Sequence, residues 1–118
     1  WTKALIIGEE KEIDNFEPIY KREYDRGYSV RSGKRFLDVV ANGVSKGFGV
    51  MTLAQRLGIE KENIYTVGDN MNDYEMITLA GHGYAVENGV STLKSAAAAV
   101  VPACNNNAIA YIIKNYIK

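Results

Sequence analysis

Gly68-Asp69-Asn70-Met71-Asn72-Asp73 brings two carboxylates within four residues of each other, directly after a short apolar run at 63–67. Alternation and β-branching in that run predict a buried strand. Residues 74–80 then have the pattern of an amphipathic helix, for which Asn72 or Asp73 is a suitable N-cap. Strand, acidic turn and helix in this order place ligands at the carboxyl edge of an open α/β sheet. The two carboxylates therefore predict a site for one oxygen-liking cation such as Mg²⁺.

The first 40 residues predict a strand, a helix and a two-stranded hairpin. Apolar residues recur at helical spacing between residues 11 and 26, and Pro18 among them predicts a late helix start or a kink. Alternating apolar residues predict the strands. These strands are placed at 4–7, 28–31 and 35–40, with the hairpin turn at Ser32-Gly33-Lys34.

Residues 41–118 have a different pattern, in which helices alternate with short apolar strands. A turn-rich connector at 41–44 predicts the boundary between two domains, 1–40 and 41–118. The alternation indicates parallel βα units. Three parallel strands need cover on both faces and at their edges, so this segment is predicted to be half of a larger doubly wound domain. The predicted helices are 45–57, 72–80, 91–98 and a final one capped by 105–107; the predicted strands are 63–67, 84–86 and 99–101, with 81–83 as a loop.

Composition excludes several classes of partner. Lys plus Arg and Asp plus Glu number 14 each, so the net charge is zero and predicts neither nucleic acid nor an anionic membrane as a partner. No apolar run approaches the roughly 20 residues of a membrane span. The single cysteine, Cys104, excludes an internal disulfide and predicts a reducing, cytoplasmic setting. Its apolar neighbours at 100–102 predict a buried or half-buried, unreactive thiol.

Lys46 is the basic residue whose position points to function. Ser45-Lys46-Gly47 opens a predicted helix, so the ammonium should lie at the same sheet edge as Asp69, 23 residues further along. Amides of the helix start add to anion affinity at that edge. The alternative is an ordinary solvated lysine, but one helix and one strand separate Lys46 from Asp69, which favours the functional interpretation.

Three motifs in order carry a family resemblance. Residues 42–47, the Gly68-Asp69-x-x-Asn72-Asp73 motif and residues 83–88 are similar to the C-terminal half of Cof-type phosphatases, class IIB of the haloacid dehalogenase superfamily. The resemblance covers 35–118 well and 1–34 more loosely. It implies an α/β fold: residues 41–118 would be the second half of a Rossmann-like core, and 1–40 a remnant of an α+β cap of the C2 type.

The resemblance also implies an activity and a set of residue roles. Family members hydrolyse phosphate monoesters through an aspartyl-phosphate intermediate with Mg²⁺, and the expected substrates are sugar phosphates or similar small metabolites. By this likeness the catalytic residues are Lys46, Asp69 and Asp73. Lys46 would offset phosphoryl charge, Asp69 would ligate the metal, and Asp73 would support the metal and its waters. Asn72 would hydrogen-bond phosphate or Lys46, and Asn88 would lie near the phosphate on a weaker basis.

Two family motifs are missing from these residues. The chain contains no Asp-x-Asp, the motif that supplies the nucleophile and the general acid/base, since its aspartates are Asp14, Asp25, Asp38, Asp69 and Asp73. Ser32 resembles the second motif only superficially, because too few residues separate it from Lys46. The sequence also opens on Trp1. We therefore expect the intact protein to be a phosphatase that includes a further N-terminal half, and this chain to be inactive alone.

Other functions stay open at this point. The chain could be a non-catalytic module. Such a module would bind either a phosphorylated ligand or a protein partner, the partner through the module's exposed sheet edge. A P-type ATPase phosphorylation domain carries a similar acidic motif, but no membrane segment accompanies it here. His82, the only histidine, lacks catalytic companions. Tyr28, Arg31 and Arg35 are candidates for substrate contact from the cap.

Overall fold

The structure, a computed structural model, describes residues 2–24 and 27–117. The chain divides into two compact units, Trp1–Ser45 and Lys46–Lys118. The predicted boundary at 41–44 lies immediately before this division.

The first unit is a three-stranded antiparallel sheet with one helix packed on it. The strands follow the order β1-β3-β2, so the last strand in sequence lies in the middle. The helix begins with a capping box, in which Glu9 and Glu12 satisfy each other's backbone N–H groups. Helix α1 contacts β2 and β3 and buries Ile13 against that face of the sheet. The elements are β1 (Lys3–Ile7), α1 (Glu10–Glu23), β2 (Tyr28–Gly33) and β3 (Phe36–Val40).

Two predictions for the first unit need correction. Helix α1 begins well before Pro18 and continues through it, so the predicted late start is wrong. The predicted helix end at 25–26 lies outside the described residues. Strand β2 continues to Gly33, which pairs with Phe36 after a register shift, so the hairpin turn lies at 34–35 instead of 32–34. The shift adds a residue to β2, which a simple alternation pattern does not reveal.

The second unit is a parallel sheet flanked by helices, as the sequence predicts. Its strand order is β4-β5-β6, and both strand pairs are parallel. The predicted α/β class is therefore confirmed. The strands are β4 (Tyr65–Gly68), β5 (His82–Val86) and β6 (Ala99–Val101); the helices are α2 (Lys46–Leu57), α3 (Tyr74–Leu79), α4 (Ser91–Ala96) and α5 (Ala108–Tyr116).

The central strand β5 organises the core of this unit. Tyr84 and Val86 point to one face, where they form an apolar cluster with α5, and Ala85 points to the other face, toward α3 and α4. Because successive side chains of a strand alternate between faces, one strand can serve both clusters. The cluster on the α5 side contains Tyr84, Val86, Val101, Ala108 and Ile112; the opposite cluster contains Ile77, Ala85 and Leu93.

Some element boundaries in the second unit differ from the predictions. The predicted loop at 81–83 is wrong, since His82 and Gly83 begin β5. Position 83 of the strand requires glycine, because a Cβ there would overlap the carbonyl oxygen of Ile77. Only glycine therefore permits this close approach of β5 to α3. Helix α4 ends at Ala96, before the alanine run is complete, and the run continues into β6.

The described helices are short. The longest, α1, has 14 residues, whereas α3 and α4 have 6 each. Within residues 2–24 and 27–117, none combines the length and apolar content needed to cross a bilayer.

Candidate active site

The acidic turn closes tightly after strand β4. The strand ends at Gly68, and a single 3-10 turn, Met71–Asp73, leads into α3. Asn70 caps this turn, because its Oδ1 accepts a 2.8 Å hydrogen bond from the N–H of Met71. The predicted helix opening near Asn72 or Asp73 is confirmed in position, since Asp73 is the N-cap residue of α3, but its side chain makes no capping hydrogen bond. The side-chain cap belongs to the preceding 3-10 turn and comes from Asn70.

Asp73 folds back over this turn and is almost entirely enclosed. Its Oδ2 accepts hydrogen bonds from the backbone N–H groups of Asp69 at 3.0 Å and Asn70 at 3.3 Å. Gly68 makes room for the carboxylate, since a Cβ on Gly68 would overlap the side chain of Asp73. The glycine of the motif is therefore a steric requirement of the turn.

Lys46, the first residue of α2, neutralises the other oxygen of this carboxylate. Its Nζ lies 2.5 Å from Oδ1 of Asp73, and the side chains are 51% and 4% exposed, respectively. Burial acts to raise the pKa of the Asp73 carboxyl. The hydrogen bond from Lys46, the two backbone N–H donors and the charge of Lys46 outweigh burial, so the pKa lies below its ordinary value. Asp73 is held as an anion whose charge fixes the ammonium of Lys46.

A cavity of about 310 Å³ opens beside this ion pair. Lys46, Asp69 and Asp73 all line it, so the structure brings the three predicted catalytic residues to one place. The remaining lining is mainly apolar, so a charged group entering the cavity meets polar groups on one side and aliphatic ones on the other. The other lining residues are Val67, Gly68, Val86, Cys104, Ala108 and Ile109.

The two predicted asparagines do not line the described cavity. Asn72 is half-buried within the 3-10 turn. Asn88 is exposed, and its Oδ1 accepts a hydrogen bond of 3.1 Å from the backbone N–H of Cys104, which ties the turn after β5 to the 3-10 turn that precedes α5. Their roles at phosphate stay predictions.

Cys104 lines the cavity, which the sequence analysis did not predict. The thiol was expected to be buried or half-buried, but Cys104 is exposed and lines the cavity. Val101 is buried and ends β6, after which Pro102 and Ala103 lead the chain outward into a 3-10 turn. The apolar neighbours that suggested burial therefore belong to the preceding strand.

The described residues supply only part of a metal site. A Mg²⁺ ion takes six oxygen ligands in near-octahedral geometry. The carboxylate of Asp69 is exposed at the cavity, but each oxygen of Asp73 already accepts a hydrogen bond. Across residues 2–24 and 27–117 no three His, Cys, Asp or Glu side chains cluster. These residues therefore do not form a complete Mg²⁺ site by themselves.

The other residues considered as candidates from the sequence contact neighbouring elements of the fold or lie exposed on them. The ring of His82 stacks on Tyr65 at 4.3 Å in the sheet. Arg31 pairs with Asp14 and with Glu17. The guanidinium of Arg35 lies 2.6 Å from the carboxylate of Glu9, at the start of α1. These arginines therefore tie the sheet of the first unit to its helix, and Tyr28 is exposed on β2.

Comparison with known proteins gives related sequences and folds. The chain is 37% identical over 82 residues to the 5-amino-6-(5-phospho-D-ribitylamino)uracil phosphatase YwtE of Bacillus subtilis, covering 70% of this chain and 29% of that protein. A haloacid dehalogenase-like hydrolase from B. subtilis superposes with a TM-score of 0.89 at 26% identity, covering 98% of this chain and 40% of the other. The subclass IIB sugar phosphatase BT4131 shares the fold, with a TM-score of 0.82 at 24% identity over 98% of this chain and 43% of its own.

The shared region is only part of the known proteins. The chain spans 43% of a curated relative from Haemophilus influenzae and 29% of YwtE, which is less than half of either. The family model for haloacid dehalogenase-like hydrolases nevertheless matches residues 1–113, which include the first unit, most of the second and the cavity residues. This chain, with its lysine and two aspartates at the edge of a parallel sheet, belongs to the haloacid dehalogenase-like hydrolase family.

Proposed function

We propose that this chain is the C-terminal part of a Mg²⁺-dependent phosphomonoester hydrolase of the Cof type. The observation that carries the proposal is the convergence of Lys46, Asp69 and Asp73 on one cavity at the carboxyl edge of the sheet. The first unit would be the end of the cap and the second unit the second half of the core. The substrates would be sugar phosphates or similar small phosphometabolites, in keeping with the substrate in the name of YwtE. The protein would act in the cytoplasm.

Lys46 would act on the phosphoryl group by its charge. Phosphoryl transfer depends mainly on positioning and on stabilising negative charge, and a fixed ammonium supplies both. Asp73 holds that ammonium in place, so its role would be to orient Lys46. The exposed carboxylate of Asp69 would be the metal ligand that this chain contributes. A bound Mg²⁺ would supply further positive charge.

The nucleophile would come from residues outside this chain. No Asp-x-Asp is present among the 118 residues, and the described residues do not complete a metal site. The chain alone is therefore proposed to lack turnover. A nucleophile from outside this chain agrees with the chain spanning less than half the length of these two relatives.

The test compares this chain with the longer polypeptide that contains it. We expect p-nitrophenyl phosphate to be hydrolysed with Mg²⁺ by the longer protein and not by the chain alone. Lys46→Ala in the longer protein should lower kcat by about a hundredfold or more. Lys94→Ala is the matched control, since Lys94 donates to the carbonyl of Glu87 outside the cavity. A folded longer protein inactive on a panel of phosphate esters would contradict the proposal.

A second candidate is a non-catalytic module that binds phosphate or a partner. The absence of the nucleophile motif favours it, as does the position of β4 at an edge of its sheet. Such a module would pair with its partner through that edge, without nucleic acid or membrane. Binding of a sugar phosphate by the longer protein without turnover would favour this alternative.

A further inference from the structure

Gly47 lies at a close contact between helices α2 and α3. It is buried in the first turn of α2. A Cβ at this position would lie 2.7 Å from Cγ, 2.9 Å from the backbone carbonyl carbon and 3.0 Å from Cβ of Glu75. Atoms at such distances overlap, and one of them belongs to backbone that a rotamer change cannot move. The two helices can therefore approach this closely only with glycine at position 47.

This contact is next to the bases of both side chains of the ion pair. Gly47 directly follows Lys46, and Glu75 comes two residues after Asp73. The distance between the two helices at this point therefore sets the distance between the backbones that carry the ammonium and the carboxylate. A methyl group at position 47 would separate them and shift Lys46 away from Asp73 and the cavity.

Gly49 shows that glycine is not required throughout this helix. It lies in the same helix, α2, two residues after Gly47. A Cβ there meets no atom within 4 Å. The helix could therefore take alanine at position 49, and alanine is the better helix former. The two positions form a matched pair that differs in the contact with α3.

We propose that Gly47 is a positioning residue that places the ammonium of Lys46 against Asp73. It touches no substrate; it acts by allowing α2 to pack directly on Glu75. Its importance for phosphate ester hydrolysis rests on the function proposed above, but the placement of Lys46 can be measured separately. A failure of the placement therefore remains distinguishable from a failure of the phosphatase proposal.

The test is competitive acetylation of the folded 118-residue chain, with the rate at each lysine read by mass spectrometry. An ammonium held by a carboxylate is protected from acetylation, and Lys94 provides an internal reference. Asp73→Asn removes the carboxylate and sets the unprotected rate for Lys46. We expect Gly47→Ala to raise the ratio of the Lys46 rate to the Lys94 rate about threefold or more, toward the Asp73→Asn value. Gly49→Ala should leave this ratio at the wild-type value.

A folded Gly47→Ala chain with the wild-type ratio would overturn the proposal. If Gly47→Ala does not fold, a double variant with Glu75→Gly is measured in its place, because it removes Cβ and Cγ of Glu75 and leaves only the backbone carbonyl carbon, at 2.9 Å, against the new methyl group. Recovery of folding and of Lys46 protection in the double variant would support the proposal. If the double variant folds without protection of Lys46, the contact with Glu75 is not the reason for the glycine and the proposal is wrong. If it does not fold although Glu75→Gly alone folds, the remaining backbone contact by itself requires glycine at position 47, which supports the proposal.

Discussion

The two carboxylates of the acidic turn have different surroundings, although the sequence presents them alike. Asp69 is exposed at the cavity. Asp73 is enclosed, with one oxygen paired to Lys46 and the other accepting two backbone N–H groups. Burying a carboxylate is costly unless it is paired and hydrogen-bonded, and here it is both. Asp73 therefore contributes to the stability of the turn as well as to the site.

Asp73→Asn should lower the free energy of unfolding by about 2 kcal/mol, the range of a hydrogen bond to a charged group. The amide would place a donor or a weaker acceptor toward Lys46 and the backbone N–H groups. Urea denaturation measures the loss. Asp69→Asn is the control in the same turn and should change stability by less than about 0.5 kcal/mol, as is usual for an exposed side chain. Equal losses in the two variants would contradict this assignment.

The difference in free energy of unfolding between wild type and Asp73→Asn should depend on pH in a predictable way. The pKa of Asp73 is lowered in the folded chain, despite burial, by its hydrogen bonds and by Lys46. Its contribution to stability is therefore complete above the unfolded carboxyl pKa of about 4 and is lost as pH falls through the lower folded value. The difference between wild type and Asp73→Asn should be constant near neutral pH and shrink only in acid.

At the residue scale the sequence could indicate which side chains meet but not how they are used. The approach of Lys46 to the acidic turn follows from the order of elements, because α2 leads back to β4 and its first residue therefore lies at the sheet edge where β4 ends. The occupation of both Asp73 oxygens depends on how the turn folds back, which spacing does not specify. The place of Gly47 against Glu75 depends on how two helices pack, which is equally absent from local sequence.

At the scale of elements, order and type could be predicted, whereas boundaries depended on tertiary contacts. The parallel βα pattern of the second unit follows from the alternation of helical and strand periodicity. His82 and Gly83 read as loop because glycines flank the histidine. They join β5 because glycine allows the strand to pack on Ile77 of α3. Glycine was therefore required for close packing within an element, not for a turn between elements.

A prediction at this scale concerns Pro18 in helix α1. A proline inside a helix cannot donate the backbone hydrogen bond to the residue four positions earlier. Pro18→Ala should therefore stabilise the chain by about 1–2 kcal/mol, less than the full cost of a helical proline because proline also restricts the unfolded chain. Urea denaturation followed by circular dichroism measures this gain. Asn15→Ala, exposed in the same helix, reports helix propensity alone, and an equal gain there would contradict the explanation.

At the scale of the whole molecule, the second unit leaves an apolar surface beside an open strand edge. Strand β4 is at an edge of its sheet within the described residues. Helix α5 runs beside it, since the hydroxyl of Tyr65 donates to the carbonyl of Tyr116 at 3.4 Å and Ile109 lines the cavity with Val67. Ile112 of α5 is buried, but Ile109 and Ile113 are 56% and 55% exposed.

An open edge next to exposed aliphatic side chains favours association. We therefore expect the weight-average mass of this 13.1 kDa chain to rise with concentration in sedimentation experiments. Ile113→Lys places a charge beside the edge and should hold the chain at the monomer mass. Leu57→Lys is the matched control, because Leu57, at 63% exposed, is at least as exposed as Ile113 but lies at the end of α2. A wild-type chain that stays monomeric, or equal effects of the two lysines, would show that this edge does not pair.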